Sequence, residues 1–398
     1  MEKHRPALID RSPVSAEAAE WLGRVEKISP VLREFQEEGE AQRFSPTPVF
    51  EALRELGFHR MFVSRALGGA QVSLQTGSAV LQALARVDPS VSWQMAVNSA
   101  IGRLSDYLPE ATARGLFLEQ DRLVVGSVNP SGVADVVDGG FVLHGTWAFA
   151  SGSAHAGWLV CAARILQDGA PRLVDGRPEI RMLFVPLADV VMLDTWHSLG
   201  LRATGSRHYQ VDHVFVPEDA TVRQADMFLP PPDRPGRGYA ISYYDFGLFG
   251  SGSTILGIAS GALEAFREVA LSKVPAAGSQ TLAAGHVTQD QFARAEVLVR
   301  SARLLLGDAA WHAAEHGSDG GDDLSALVRV AAAATAEKAC GAVDILFRLA
   351  GTTSVYTGDP LERFFRDANT AAKHITLSAT NFEMVGQYLL GGELQMRR

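Results

Sequence analysis

The feature that most constrains the fold is one β-rich stretch set between two helical regions. From Leu123 to Pro217, short apolar runs alternate at the period of a strand and are separated by Gly, Pro and Asp. Strands of this length and spacing are typical of a sandwich or a barrel. On both sides of the stretch, apolar residues recur at helical spacing. The sequence therefore predicts an α+β, mainly α chain with an N-terminal helical domain at 1–122, a β-barrel at 123–222, a linker at 223–239 and a C-terminal helical bundle at 240–398.

The helical regions carry recognisable start and stop signals. Ser15 is placed to cap a helix that runs to Glu38, and Asp88-Pro89 opens another. The Pro/Gly-rich residues 228–239 show no packing pattern, which is why a linker is predicted there. Beyond it, the periodicity predicts helices over 246–270, 286–316 and 324–349, followed by a last helical segment from Asp359-Pro360 to Leu390.

Composition limits the partners that the chain could have. A chain of 398 residues with 47% apolar residues can bury large cores. Its net charge of −9 argues against a basic surface that tracks nucleic acid. Cys161 and Cys340 lie in apolar runs and cannot form a disulfide framework, which fits a reducing compartment. The start of the chain lacks an apolar signal segment, and we expect no apolar run to reach the roughly 20 residues that cross a bilayer. We expect a cytoplasmic protein without membrane or nucleic-acid partners.

The stretch from Gly139 to Trp158 is unusual for an ordinary strand pair. Asp138-Gly139-Gly140 is a hairpin signal, and the apolar residues that follow alternate up to Phe149. Strict alternation places Phe149 and Ser151 on one face of the strand. Gly152, which has no side chain, brings the backbone close to whatever lies against that face. A flat aromatic beside a hydroxyl suits a planar, hydrogen-bonding heterocycle. A hairpin corner whose aromatics fill a barrel fits the same residues.

Three segments resemble one family. W-x-F-x-S-G-x-x-x-A-x-W, Trp147 to Trp158, resembles the flavin-contacting segment of the group D two-component flavin-dependent monooxygenases, which have the acyl-CoA dehydrogenase fold. Residues 196–217, with G-L-R-A-T-G-S and V-D-H-V-F-V-P, resemble a second family segment. Arg366-Asp367 followed by His374 resembles a third. With Leu67-Gly68-Gly69, which resembles a further family turn, these matches extend over most of residues 60–390. The resemblance implies a helical domain, a β-barrel and a helical bundle that usually assemble as a homotetramer.

The resemblance assigns roles to residues of the β-rich stretch. Phe149 falls on the position that stacks on the isoalloxazine, and Ser151 on the one that bonds near flavin N5, with a catalytic influence on the oxygen adduct. Ser127 and Asn129 match a loop at the pyrimidine end, Trp196 flanks the ring, and Arg202 anchors its loop. Each also has a plain structural interpretation, such as a satisfied hydroxyl or an ordinary turn.

Other candidate residues lie in the helical regions. The resemblance makes His374 catalytic, since the family has a C-terminal His near the oxygen-derived adduct, although a lone His in a helix is often structural. Asn98 stands where several members carry an active-site His, so it is a candidate for substrate binding. Tyr243, Phe246 and Phe249 could form an aromatic substrate pocket or simply part of the core.

The same fold also serves acyl-CoA dehydrogenases, which need a carboxylate base. When Arg366-Asp367 is aligned with the Arg-Asp pair of the dehydrogenases, His374 stands where their catalytic Glu would be. The alternative position of that Glu, on an earlier helix, falls near Gly247. Asp245 is the remaining rival. The resemblance thus implies a monooxygenase that uses reduced flavin and O2, through a C4a-(hydro)peroxyflavin, to hydroxylate a small aromatic substrate. An acyl-CoA dehydrogenase or oxidase, an N- or S-oxygenase, and a scaffold without redox function remain alternatives.

Two motif-like segments are set aside. Gly250-Ser251-Gly252 does not follow a strand and fails as a dinucleotide fingerprint. The family resemblance therefore implies a separate flavin reductase that supplies reduced FMN or FAD. His312-Ala-Ala-Glu-His316 matches a zinc-peptidase pattern, but it precedes Gly317 at a predicted helix end, where a His is favoured by the helix dipole. No metal is predicted.

Overall fold

The computed structural model describes residues 14–231, 239–276, 278–317 and 319–395. Helices come first, then a sheet, then helices, in the predicted order. The helices are α1 Ala16–Glu34, α2 Gln36–Gln42, α3 Thr47–Glu55, α4 Leu74–Val87, α5 Pro89–Gly102, α6 Glu110–Phe117, α7 Tyr243–Ser272, α8 His286–His316, α9 Gly321–Ala350, α10 Pro360–Ala371 and α11 Thr380–Leu389. The strands are β1 Leu123–Val137, β2 Gly140–Ala150, β3 Ala156–Gln167, β4 Ala170–Pro171, β5 Leu173–Val174, β6 Arg177–Pro178, β7 Ile180–Pro186, β8 Val191–Leu193, β9 Arg207–Pro217 and β10 Thr221–Arg223.

Side-chain caps fix the starts of the first helices. Ser15 accepts from the backbone N–H of Ala18 at 3.1 Å, as predicted, and Asp88 accepts from Val91 N at the start of α5. The first helix ends at Glu34 rather than at residue 38, because Phe35 leaves helical geometry and α2 begins directly after it.

The β-rich stretch forms a mixed sheet rather than the predicted barrel. Its strand order is β10-β7-β3-β1-β2-β9-β8, with β4 beside β3; β1 and β3 run parallel. Among the described residues no ladder joins β8 to β10, so the sheet stays open. Alternation of apolar residues predicts strands but not whether the sheet closes into a barrel. Closure requires the strands to share a tilt and stagger, so that the two edge strands can pair with each other. The edge strands β8 and β10 are only three residues long and do not pair.

The predicted linker is only partly a connection. Arg223 still pairs with Arg181 in the sheet, and residues 224–228 form a 3-10 turn in which Met227 is buried. Residues 232–238 of the predicted linker lie outside the described residues.

The core of the C-terminal bundle is α7, which packs against α4, α5, α8 and α9. By length and composition this helix could cross a membrane, so the expectation that no apolar run reaches that length was wrong. Of its most apolar window, 89% is buried inside the protein, as in a core helix. At Gly257 a Cβ would come within 2.5 Å of Gln82 O, so glycine allows α7 to pack directly on α4.

Candidate active site

Three buried hydroxyls connect the end of β2 to the loop before β9. Ser151 Oγ lies 2.6 Å from Ser206 Oγ, which lies 2.6 Å from Thr204 Oγ1. Thr204 Oγ1 donates to the carbonyl of Leu201 at 2.8 Å. The three residues are 4%, 3% and 1% exposed, respectively. We call Ser151, Ser206 and Thr204 the hydroxyl chain; it joins two of the three segments that carry the sequence resemblance.

Phe149 stands next to the hydroxyl chain in a strained conformation. Its φ is 71°, which a bulky residue adopts only where its surroundings impose it. The pairing of β2 with β9 shifts between Trp147 and Ala150, so strict alternation fails: Phe149 is 60% exposed, whereas Ser151 is buried. An exposed aromatic ring held in this way is suited to contact a flat ligand.

Two rings support Phe149 from the side. The edges of Trp196 and His208 meet it, with ring centroids 6.3 and 5.7 Å away. The indole N–H of Trp196 donates to the carbonyls of Leu201 and Arg202 at 3.3 and 3.1 Å, so the indole is fixed on the same loop as the hydroxyl chain. Arg202 itself holds the start of this loop, since its Nε donates to a carbonyl four residues earlier.

Ser127 and Asn129 lie on β1 at a bulge. The backbone N–H of Ser127 donates at 2.9 Å to the hydroxyl of Tyr209, the residue that follows His208. Asn129 is exposed, and its backbone N–H donates to Ser127 Oγ at 3.3 Å. Through Tyr209 these residues connect to the strand that supports Phe149.

The third segment, on α10, holds the loop in place. Asp367 Oδ1 accepts from the backbone N–H of Leu201 at 2.5 Å, and Arg366 donates to Leu199 O at 3.0 Å. Between them, Gly200 packs directly on α10: a Cβ there would lie 2.4 Å from the carbonyl of Arg366. The position of the hydroxyl chain is thus tied to the C-terminal bundle.

Asp367 belongs to a buried group of charges. Its carboxylate faces Arg363 at 3.5 Å, and Arg363 also lies 3.2 Å from Asp88. Glu40 and Glu362 pair with Arg366. Burial raises the pKa of Asp367 to about 6, because desolvation outweighs the attraction of Arg363.

Helix α5 connects the loop to His374. Gln94 Nε2 donates to Ser45 Oγ at 2.6 Å and to Ala203 O at 3.2 Å, and its neighbour Trp93 meets the edge of the His374 ring at 5.3 Å. Sequence reasoning missed Gln94, whose signal is a lone polar side chain between Trp93 and Met95 on a buried helix.

His374 lies at a break between helices rather than within one. It caps a 3-10 turn, Ile375–Leu377, and its Nδ1 accepts from Thr376 N at 3.4 Å and lies 2.7 Å from Thr376 Oγ1. Thr376 Oγ1 in turn lies 2.6 Å from Ser251 Oγ on α7. With Nδ1 as the acceptor, the proton of a neutral ring is on Nε2.

The four predicted substrate residues do not lie together. Phe246 and Phe249 line a small, mostly apolar cavity between α4, α5 and α7, together with Phe62, Ser78, Ala96, Ser99 and Ser253. Tyr243 instead packs in a separate apolar cluster. Asn98 is buried and donates to the carbonyl of His59 at 2.7 Å.

Asp245, the rival base, is engaged in a structural network. Its carboxylate accepts from Ser242 Oγ and Ser325 Oγ at 2.8 Å each, and Arg329 lies 3.3 Å away. The residue is 7% exposed at the start of α7. A carboxylate held by two hydroxyls and a guanidinium is poorly suited to remove a substrate proton.

The zinc-like pattern lies at the end of α8, where Asp308 Oδ1 comes within 3.8 Å of His312 Nε2. The rings of His312 and His316 lie 5.8 Å apart beside Trp311. In the part of the chain that the structure describes, no three His, Cys, Asp or Glu side chains are grouped closely enough to hold a metal ion.

Comparisons with known proteins agree on one fold. Residues 22–110 match the family model "Acyl-CoA dehydrogenase, N-terminal domain", and residues 249–379 match "Acyl-CoA dehydrogenase, C-terminal domain". The chain is 30% identical over 395 residues to the oxygenase component of the FADH2-dependent resorcinol hydroxylase of Rhizobium sp. strain MTP-10005, covering 94% of each chain. It is 29% identical over 375 residues to HsaA, the oxygenase subunit of a flavin-dependent monooxygenase from Rhodococcus jostii strain RHA1, covering 89% of this chain and 93% of that one.

A solved structure extends the likeness to three dimensions. XiaF from a Streptomyces species, in complex with FADH2 and glycerol, superposes with a TM-score of 0.89 at 25% identity. The match covers 96% of this chain and 97% of XiaF.

Proposed function

We propose that this chain hydroxylates a small aromatic substrate with reduced flavin and O2. The chain belongs to the oxygenase components of the flavin-dependent monooxygenases with the acyl-CoA dehydrogenase fold. The observation that carries the proposal is the exposed, strained ring of Phe149 beside the hydroxyl chain, which α5 connects to His374. Asp245, the carboxylate that would have to serve a dehydrogenase as its base, is held by Arg329 and two serines.

The residues at this end of the sheet fit a flavin. Phe149 would offer a flat apolar surface that Trp196 bounds, and Ser151 would present its hydroxyl to the flavin from a buried position two residues along the chain. Ser127 and Asn129 would hold the pyrimidine end, and Arg202 would keep the loop in place. Reduced FMN or FAD supplies the two electrons with which one atom of O2 enters the substrate and the other leaves as water.

The side chains of this protein orient the reactants and move a proton. His374 would exchange a proton with the substrate oxygen through Nε2, since Nδ1 is held by Thr376. Phe246 and Phe249 would contact the aromatic ring of the substrate. The cavity that they line beside α5 has room for about one water molecule, so side chains there must move to admit the ring.

The proposed partners follow from the family. The relatives are named as oxygenase components or subunits, which implies a separate reducing component. We expect a flavin reductase that delivers reduced FMN or FAD by diffusion. We further propose a cytoplasmic homotetramer.

Oxygen transfer is tested directly with isotope. The protein is mixed with photoreduced FAD or FMN, ¹⁸O2 and either resorcinol or a set of substituted phenols, and the products are analysed by mass spectrometry. One ¹⁸O atom in a hydroxylated product is the expected result. Asp245→Asn should retain this transfer, because Asp245 lies in a structural network. Anaerobic reduction of bound FAD by butyryl-CoA, with no labelled product, would instead establish a dehydrogenase.

A further inference from the structure

The proton positions in the hydroxyl chain are fixed from one end. The carbonyl of Leu201 can only accept, so Thr204 must use its single hydroxyl proton for that bond. Ser206, 2.6 Å away, then donates to Thr204, and Ser151 donates to Ser206. Ser151 is left with lone pairs alone for any further partner.

The opposite direction is unfavourable. It would turn the proton of Thr204 toward Ser206 and leave two oxygen lone pairs facing each other at the 2.8 Å between Thr204 Oγ1 and Leu201 O. The Leu201 carbonyl would keep two N–H donors, from the Trp196 indole at 3.3 Å and the Thr204 backbone at 3.1 Å. The repulsion between the two facing oxygens would remain, because Thr204 is 1% exposed and no water can separate them. The anchor of Leu201 on Asp367 holds the accepting carbonyl in position.

We infer that the hydroxyl chain discriminates between the redox states of the flavin, with Thr204 and Ser206 as positioning residues that keep Ser151 an acceptor. This inference rests on the proposed function. Reduced flavin carries a hydrogen on N5 and can donate to Ser151, whereas oxidised flavin offers a lone pair at N5. An acceptor facing an acceptor weakens binding of the oxidised form, so spent cofactor leaves and reduced cofactor enters.

The test compares dissociation constants. Oxidised FMN and FAD are titrated in air by fluorescence quenching, and the photoreduced forms are measured anaerobically by ultrafiltration. The readout is the ratio of the oxidised to the reduced dissociation constant. Thr204→Val and Ser206→Ala free Ser151 to turn its proton outward, and the ratio should fall roughly three- to tenfold, the value of about one net hydrogen bond. Thr204→Ser keeps the hydroxyl and should keep the ratio.

A double-mutant cycle separates this role from packing. In a Ser151→Ala background, Thr204→Val should leave the ratio unchanged, because Thr204 acts only through Ser151. Unchanged ratios in both Thr204→Val and Ser206→Ala, or an equal fall in Thr204→Ser, would overturn the inference. If Thr204→Val does not fold, Ser206→Ala decides. If the wild-type protein transfers oxygen but the variants give these contrary ratios, only the inference is refuted. If the wild-type protein binds no reduced flavin, the proposed function is refuted as well.

Discussion

The buried carboxyl of Asp367 should make stability depend on pH in an unusual direction. Its pKa is raised from an ordinary 3.8 to about 6, chiefly by burial. Between these values the unfolded chain releases the proton while the folded protein keeps it. Ionisation at higher pH therefore costs folding free energy, and the stability contributed by the protonated group is lost as pH rises through 6. Asp367→Asn keeps an oxygen for Leu201 N–H but cannot ionise.

The size of the effect follows from the shift. Roughly two pKa units correspond to about 3 kcal/mol, of which about 2 kcal/mol falls between pH 4.5 and pH 7.5. The difference in free energy of unfolding between Asp367→Asn and the wild type should therefore shift in favour of the variant by about 2 kcal/mol from pH 4.5 to pH 7.5. Arg363 is not left without a partner in the variant, because Asp88 lies 3.2 Å from it.

Urea unfolding followed by tryptophan fluorescence at pH 4.5, 6 and 7.5 measures this difference. Asp226→Asn, which removes a half-buried partner of Arg223, is the control and should show the pH dependence of the wild type. A difference that stays constant with pH would refute the reasoning. So would a variant that is about 3–5 kcal/mol less stable at pH 7.5, since that is the cost of breaking an essential buried ion pair.

Three further predictions concern the site. Ser151→Ala should raise the share of O2 released as hydrogen peroxide, measured with a peroxidase-coupled dye; an unchanged share would argue against its role. His374→Ala should lower product formed per reduced flavin at least about tenfold, while the exposed control His286→Ala should not. Gly200→Ala should lower the free energy of unfolding by about 1–3 kcal/mol, because its Cβ would overlap the α10 backbone. Gly23→Ala in α1, where a Cβ meets nothing within 4 Å, should instead raise it by about 0.5–1 kcal/mol; equal melting curves for the two glycine variants would contradict the packing argument.

Local patterns predicted the order of elements but not their closure. Apolar periodicity and caps such as Ser15 and Asp88 depend on neighbours in sequence, so the helical, sheet and helical parts were predicted correctly. An open sheet and a barrel share the same alternating strands, so alternation alone does not predict whether the sheet closes. Phe149 and Ser151 separate because a positive φ interrupts the strand, which alternation does not encode.

The site depends on contacts between distant parts of the chain. The bond between Leu201 and Asp367 joins residues 166 positions apart, and Gln94 reaches Ala203 across 109 positions. The resemblance identified the segments that contain Leu201 and Asp367 without showing that one supports the other. Gln94 belongs to no motif, so a single sequence offered only its polarity as a signal.

The direct contact of Gly200 with α10 limits how this protein can be recombined with its relatives. A crossover placed between residues 223 and 239 would exchange the C-terminal bundle as one block but leave residues 196–206 with the recipient. The backbone of α10 presses on Gly200, and Asp367 holds Leu201, so donor and recipient surfaces would have to match there. Chimaeras should keep residues 196–206 and 360–371 from the same parent, even though most of the sheet can come from the other.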